Sequence, residues 1–305
     1  MTTIRTEDVT KTYGDVTALD GVSLSVDGGG TVGLLGTNGA GKTTLFKLLV
    51  GLDRPDAGRL SVAGVSPADG VDVRRRVGFL PEQAGFPDVL TGREVLAFHA
   101  RMRGVPAPER ADRVAETLAT VGLADAADRA VGGYSNGMNR RLGLASALVA
   151  EPAVLLLDEP TAGLDPRGVD AFHAVVERVA TDTDVTVVFS THALAEVERL
   201  CDRAVVLHEG AVRARGSVDE LRRLAGDRVT VRLRLAADAD PDAAVAAAGC
   251  PVDARSGTEL SLSCPRGDAF DAVAAAREAV DVEGFEVREP GLDAAFREAI
   301  GGEPA

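Results

Sequence analysis

Apolar and polar residues in the first part of the chain fall into two registers. Ile4 to Val9 and Gly21 to Val26 alternate apolar with polar, the period of strands that keep one face in water. Thr31 to Leu35 is short and apolar without alternation, which predicts a strand buried on both faces. Thr44 to Gly51 then carries its apolar residues at helical spacing, with Gly51 as the C-terminal stop. Leu60 to Val65 and Val77 to Leu80 predict further strands. From about Thr91 to Leu148 the period is helical, broken at Gly104-Val105-Pro106 and at Gly132-Gly133. Ala153 to Leu157, bounded by Pro152 and Pro160, reads as a buried strand. A helix over Pro166 to Thr181, a buried strand over Thr186 to Ser190, and a strand over Cys201 to Leu207 ending at a Glu209-Gly210 turn complete the series. Strands alternating with helices imply a parallel sheet, hence an α/β domain over residues 1–224 with a helical insert at about 91–148.

The texture changes after Gly226-Asp227. Val229, Val231, Leu233 and Leu235 share one face of a strand, Leu260 and Leu262 a face of another, and Phe285 and Val287 a face of a third. Helices are expected over Pro241–Ala248, Asp268–Ala279 and Leu292–Ile300. Residues 225–305 are therefore expected to form a small α+β accessory domain, for packing or partner contact, since they carry no catalytic constellation.

The chemistry begins where the Thr31–Leu35 strand ends. Residues 36–44 read Gly36-Thr37-Asn38-Gly39-Ala40-Gly41-Lys42-Thr43-Thr44, a phosphate-binding loop between strand and helix. Glycines at 36, 39 and 41 let the backbone wrap so that successive N–H groups face phosphate oxygens, and the helix starting near Lys42 adds the positive end of its dipole. Lys42 is placed to reach the β- and γ-phosphates, and the Thr43 hydroxyl to ligate Mg²⁺. Asp158 and Glu159 end the Ala153–Leu157 strand, the edge at which ligands gather in open α/β sheets. An Asp-Glu pair after an apolar run is by itself as often a helix cap. Coupled to the glycine loop, Asp158 becomes the metal-holding acid and Glu159 the residue that polarises the attacking water. His192, after the Thr186–Ser190 strand, is by itself a capping or surface histidine; beside a phosphate site it is placed to sense the γ-phosphate.

Composition narrows the partners. The net charge of −14 argues against nucleic acid, whose backbone is held chiefly by Lys and Arg. Only Lys11, Lys42 and Lys47 are lysines among 33 basic residues, a balance resembling proteins of salt-loving microbes. Cys201, Cys250 and Cys264 are scattered with no paired spacing, so neither a disulfide framework nor a zinc site is expected. No apolar stretch approaches the ~18–20 residues that span a bilayer, and the start of the chain shows no leader. The expected location is the cytoplasm, at the membrane only through a partner.

Tyr134-Ser135-Asn136-Gly137-Met138, opening a helix before the Asp158 strand, resembles the signature motif of ABC-type ATPases. The resemblance covers residues 1 to about 224 and takes in, in the family's order, Tyr13, the glycine loop, this motif, Asp158-Glu159, Gly163-Leu164-Asp165 and His192. It implies a head-to-tail dimer holding two ATP molecules with Mg²⁺, in which Ser135 and the Gly137 amide close on the γ-phosphate held by the other subunit. It further implies that Tyr13 stacks on adenine and that Asp165 lies in the loop crossing the dimer interface. The chain departs from the family in having Asn136 for a glycine and Met138 for a glutamine. Glu82 stands at the lid-glutamine position with Gln83 one place later, and either side chain could reach the metal or the water.

With no spanning segment, the resemblance implies a separate polytopic membrane subunit docked on the lid, Glu82 to about Gly104, at the cytoplasmic face of the membrane. Val77-Gly78-Phe79-Leu80-Pro81-Glu82, Thr91-Gly92-Arg93-Glu94, Phe98-His99-Ala100-Arg101 and Arg141-Leu142-Gly143-Leu144-Ala145 resemble the ATPase of the copper-handling transporter for nitrous oxide reductase maturation. Pro290-Gly291-Leu292-Asp293-Ala294-Ala295-Phe296 resembles the tail shared by that group and drug-export ATPases, so a generic exporter ATPase is the alternative. A soluble ABC ATPase of the ribosome or of DNA repair fits less well: there is one cassette, no sustained heptad pattern, and an acidic balance.

Overall fold

The computed structural model describes residues 2–224, 227–289 and 291–300; Gly226 and Pro290 lie outside them. The chain forms two compact units, one ending at Val218 and the other beginning at Asp219.

In the first unit, β1 (Thr2–Tyr13) and β2 (Val16–Asp27) form an antiparallel hairpin. β3 (Thr31–Leu35), buried throughout, runs into the glycine loop and α1 (Lys42–Leu49). β4 (Ala57–Val62) returns to pair with β1, giving a three-stranded sheet in the order β2-β1-β4. The short α2 (Val71–Arg76) leads into β5 (Val77–Leu80). The helical insert follows as α3 (Gly92–Met102), α4 (Arg110–Thr120) and α5 (Asn136–Leu148). β6 (Val154–Asp158), α6 (Pro166–Asp182), β7 (Thr186–Thr191), α7 (Leu194–Leu200), β8 (Arg203–His208) and β9 (Ala211–Ser217) complete the unit. The second sheet has the order β5-β6-β7-β3-β8-β9, parallel except for the β9 edge.

Register in this sheet decides where the chemistry sits. Asp158 pairs with Ser190 and Leu35 with Thr191, so the C-terminal ends of β3, β6 and β7 reach one edge together. The glycine loop, Glu159 and His192 all leave from that edge. The strands stay there because Val154, Leu155, Leu156 and Leu157 are each 0% exposed. Burying such side chains contributes about 1.5–3 kcal/mol apiece.

α8 (Val218–Leu224) crosses the boundary between the units. The second unit then runs β10 (Arg228–Leu235), α9 (Pro241–Ala248), β11 (Val252–Ser256), β12 (Glu259–Pro265), α10 (Ala269–Ala279), β13 (Val282–Arg288) and α11 (Leu292–Ala299). The sheet order β11-β12-β10-β13 with βαββαβ connectivity is that of ferredoxin-like folds. Val229, Val231, Leu233 and Leu235 alternate into its core with Leu260, Leu262, Val273 and Ala276. Phe285 lies opposite Leu233 yet remains 47% exposed, because β13 is an edge strand.

One expectation is overturned here. Cys250 and Cys264 are joined in a disulfide with Cα atoms 5.2 Å apart, although their spacing suggested none. The turn from α9 into β11 and the β11–β12 pairing bring together residues that are 14 apart in sequence. A spacing rule sees only the chain, and this pairing is made by the sheet. Cys201 is a buried free thiol, pushed up to about 12 by burial and by the charges of Asp202 and Glu196.

Candidate functional site

The glycine loop is held by close approach as much as by conformation. A Cβ at Gly36 would lie 2.5 Å from the Leu207 carbonyl, and one at Gly41 would lie 2.5 Å from the Ala18 carbonyl. Gly41 also has φ 104°, at the start of α1, where no side chain caps the helix. The orphan first-turn amides of such an end form an anion site. Thr37, Asn38 and Gly39 are exposed, Ala40 is buried, and the Ala40 N–H donates to the Thr37 carbonyl at 3.1 Å. Thr43 and Thr44 follow on the first turn, half-buried.

The Lys42 ammonium, 6% exposed, donates to the carbonyls of Gly36 (2.7 Å) and Thr37 (3.2 Å). It also lies 3.1 Å from Glu159 Oε1. That carboxylate oxygen is out of line for a hydrogen bond, so the contact is one of charge. Glu159 Oε2 is 3.0 Å from His192 Nδ1, and His192 keeps 61% of its side chain exposed. Three residues from three strand ends thus form one array: Lys42, Glu159, His192.

The backbone of Glu159 is strained, with φ 42°. A non-glycine residue there costs on the order of 1–3 kcal/mol and persists only where its surroundings impose it. Its N–H donates to the Ser190 hydroxyl (3.0 Å) and carbonyl (3.2 Å). The Ser190 hydroxyl in turn donates to Asp158 Oδ1 at 2.6 Å. Asp158 Oδ2 is buried with no hydrogen-bond partner among the described residues. An orphaned buried carboxylate oxygen beside a phosphate loop suits a divalent cation. No three His, Cys, Asp or Glu side chains converge among the described residues, so further ligands for that cation would come from Thr43 and the nucleotide.

Two sets of neighbours of this array were not legible in the sequence. Arg140, on α5 and 8% exposed, donates to five carbonyls: Pro81 and Glu82 at 2.7 Å each, Asp158 and Glu159 at 2.9 Å each, and Pro160 at 2.6 Å. Burial pushes its guanidinium down to about 10 against the opposing charges of Asp158 and Glu82. It stays cationic near neutrality. The adjacent Arg141 instead reaches the Val121 and Gly122 carbonyls, and no local pattern distinguishes the two arginines. The second neighbour is a buried relay beside His192, in which the Thr191 hydroxyl donates to Glu196 Oε2 (2.6 Å) and Glu196 Oε1 lies 3.4 Å from His173 Nε2.

The remaining sequence candidates lie apart from this array. Ser135 caps α5, its hydroxyl accepting the Met138 N–H at 3.3 Å, and Asp165 caps α6, its Oδ1 accepting the Gly168 N–H at 2.7 Å. Ser135, Gly137, Gly163 and Asp165 line one surface cavity of about 450 Å³ that contains none of the glycine-loop residues. Tyr13 is 45% exposed, donating to Asp53 Oδ2 at 2.6 Å beneath the Lys11 ammonium, 5.2 Å from the ring centroid. Tyr134, by contrast, is buried and donates to the Ala126 carbonyl at 2.7 Å, which makes it a packing residue. Glu82 and Gln83 are both exposed after β5, and Glu82 is tied down through its carbonyl by Arg140.

A glycine loop between a central parallel strand and a helix, with two carboxylates at the end of a second parallel strand of the same sheet, defines a P-loop nucleotide-binding domain. Residues 19–162 match the ABC transporter family. The chain is 40% identical to the daunorubicin resistance ATP-binding protein DrrA3 of Streptomyces coeruleorubidus, over 98% of this chain and 96% of that one. It is 37% identical to the bacitracin transport ATP-binding protein BcrA of Bacillus licheniformis, over 73% of this chain and 72% of that one. Among solved structures, an ATP-binding subunit of an ABC transporter aligns with a TM-score of 0.65 at 33% identity, covering 72% of this chain and 92% of its own. A dimeric ATP-binding cassette in a post-hydrolysis state with ADP and Pi aligns with a TM-score of 0.63 at 26% identity, covering 70% and 98%. The chain belongs to the ATP-binding subunits of the ABC transporter family, and its chemistry is ATP hydrolysis.

Proposed function

We propose that this chain is the ATPase of an exporter for a drug-like or antibiotic small molecule, acting as a head-to-tail dimer on a separate membrane subunit at the cytoplasmic face. The observation that carries the catalytic part is the Lys42–Glu159–His192 array at the end of the glycine loop. The exporter part rests on likeness along nearly the whole chain to a daunorubicin resistance protein, with a bacitracin transport protein in support. These relatives favour the generic exporter over the copper-handling reading. Among the described residues no helix is long and apolar enough to cross a membrane.

The residues divide the work as follows. Gly36, Thr37, Asn38, Gly39, Ala40, Gly41 and Thr44 cradle phosphate, and Tyr13 offers its exposed ring to adenine. Lys42 spends its charge on Glu159 and two carbonyls; a triphosphate offers it a stronger anion and frees Glu159. Glu159 then takes a proton from the attacking water, with His192 fixing its outer oxygen. Thr43 and Asp158 would hold Mg²⁺, which supplies charge neutralisation of the phosphates. Glu82 or Gln83 meets the site from the lid, while Ser135, Gly137 and Asp165 face the nucleotide held by the partner chain.

Glu159→Gln is expected to lower kcat for ATP by about 100-fold or more, general-base removal of this kind being worth 10²–10⁴, while ATP binding persists. Near-wild-type turnover by that variant refutes the assignment. For the exporter reading, co-expression with its membrane subunit is expected to speed efflux of a fluorescent anthracycline from whole cells, and to do so only with Glu159 intact.

A further inference from the structure

Arg140 presents an unusual balance of charge. A guanidinium has five N–H donors, and here every one is matched to a backbone carbonyl, with no carboxylate among the acceptors. Desolvating the cation is costly, and five carbonyl dipoles with the nearby charges of Asp158 and Glu82 offset that cost; an apolar side chain here would leave all five carbonyls without a donor. Carbonyls of two separate segments depend on this one side chain, so its role is read from what it joins.

The acceptors show what that role is. Asp158, Glu159 and Pro160 are consecutive, so Arg140 grips the peptide planes on both sides of the strained Glu159. Pro81 and Glu82 belong to the chain that leaves β5 for the lid. Arg140 itself rides on α5, the helix that Ser135 caps. One side chain thus joins the start of the lid, the helix facing the second nucleotide, and the backbone that aims Glu159.

We infer that Arg140 is the positioning residue for Glu159, holding its strained backbone in the hydrolytic conformation only while the lid and the Ser135 helix are in register with it. The inference rests on the reading of Glu159 given above. Displacing the lid carbonyls or rotating α5 withdraws donors from the Asp158–Pro160 segment. Glu159 then relaxes away from the water position while Lys42 and the glycine loop keep their hold on nucleotide. Binding and hydrolysis are separated by this one residue.

The test is ATP turnover and nucleotide binding by the purified full chain carrying Arg140→Lys, Glu159→Gln or both. Lysine keeps the charge but is a point donor that cannot span both sets of carbonyls. Arg140→Lys is expected to lower kcat about 100-fold, the scale of a misplaced catalytic group, with KM and ATP affinity within about 2-fold of wild type. Added to Glu159→Gln, it should lower the residual turnover by less than about 2-fold, because residues acting as a unit are non-additive. Arg140→Lys with wild-type kcat beside an inactive Glu159→Gln overturns this inference alone. The same fold-loss in both backgrounds overturns it too, as damage unrelated to Glu159. Turnover surviving in Glu159→Gln overturns the reading beneath it. Should Arg140→Lys not fold, as judged by its melting curve, Arg140→Gln carries the same comparison.

Discussion

Glu159 is poised by four different forces: the Lys42 charge, the His192 ring, the Ser190 hydroxyl and the Arg140 staple. A φ of 42° at a non-glycine residue persists only where its surroundings impose it, and these contacts are the surroundings. The Thr191–Glu196–His173 relay does similar work for the segment that carries His192. Burial by itself would raise the Glu196 carboxyl, but contacts from His173, Thr161 and Thr191 outweigh it and hold the group below its ordinary 4.5. A depressed carboxylate stabilises the fold above its unfolded value, and that contribution is lost as pH falls through the folded value. Melting temperature is therefore expected to fall on acidification below 4.5, and Glu196→Gln should start lower yet show a shallower acid limb. An unchanged acid limb in the variant would contradict the assignment.

The elements explain why the site can be both rigid and movable. β6 is buried along its whole length and cannot shift without opening the core. The helical insert is held at its start by a capping box, in which the Thr91 hydroxyl accepts the Glu94 N–H (3.2 Å) and the Glu94 carboxylate accepts the Thr91 N–H (2.8 Å). Hydrogen bonds from Thr91 hold the Glu94 carboxyl below its ordinary range. Replacing such a cap by alanine costs about 1 kcal/mol. Thr91→Ala is accordingly expected to lower denaturation stability by about 1 kcal/mol without altering ATP affinity, since the cap touches no residue of the glycine loop. Thr-x-x-Glu before a helical run is the local signature of such a box. The short α2 and α7 and the edge strand β11 were not legible in the sequence, because pieces of this length carry too few apolar positions to show a period.

At the scale of the whole molecule, the residues we assign to the site fall into two groups that do not meet. The Lys42 array lies at the edge of the parallel sheet, while Ser135, Gly137 and Asp165 share a separate cavity. A second copy in two-fold relation would bring each fragment to its complement. Ser135→Arg is therefore expected to abolish ATP turnover, measured under saturating ATP, while nucleotide binding by the monomer remains. Loss of binding in the monomer would count against the division. In the second unit, α9 and α10 pack together and α10 covers the β10, β12 and β13 face, with the Cys250–Cys264 disulfide buried between a helix end and the sheet.

The residues we assign to phosphate were legible in the sequence alone, because a loop that wraps an anion needs glycines, a lysine and a hydroxyl in one contiguous order. The α/β class was determined in the same way, since alternation and apolar runs are local consequences of which face is buried. Tertiary structure decided which residues meet across long stretches of chain. The Arg140 carbonyls come from two separate turns, the Glu196 relay joins two helices and a strand end, and the Cys250–Cys264 bond depends on strand pairing. Each is a contact between segments whose nearness is created by the sheet register, and register is a property of the packed fold that no stretch of chain contains by itself.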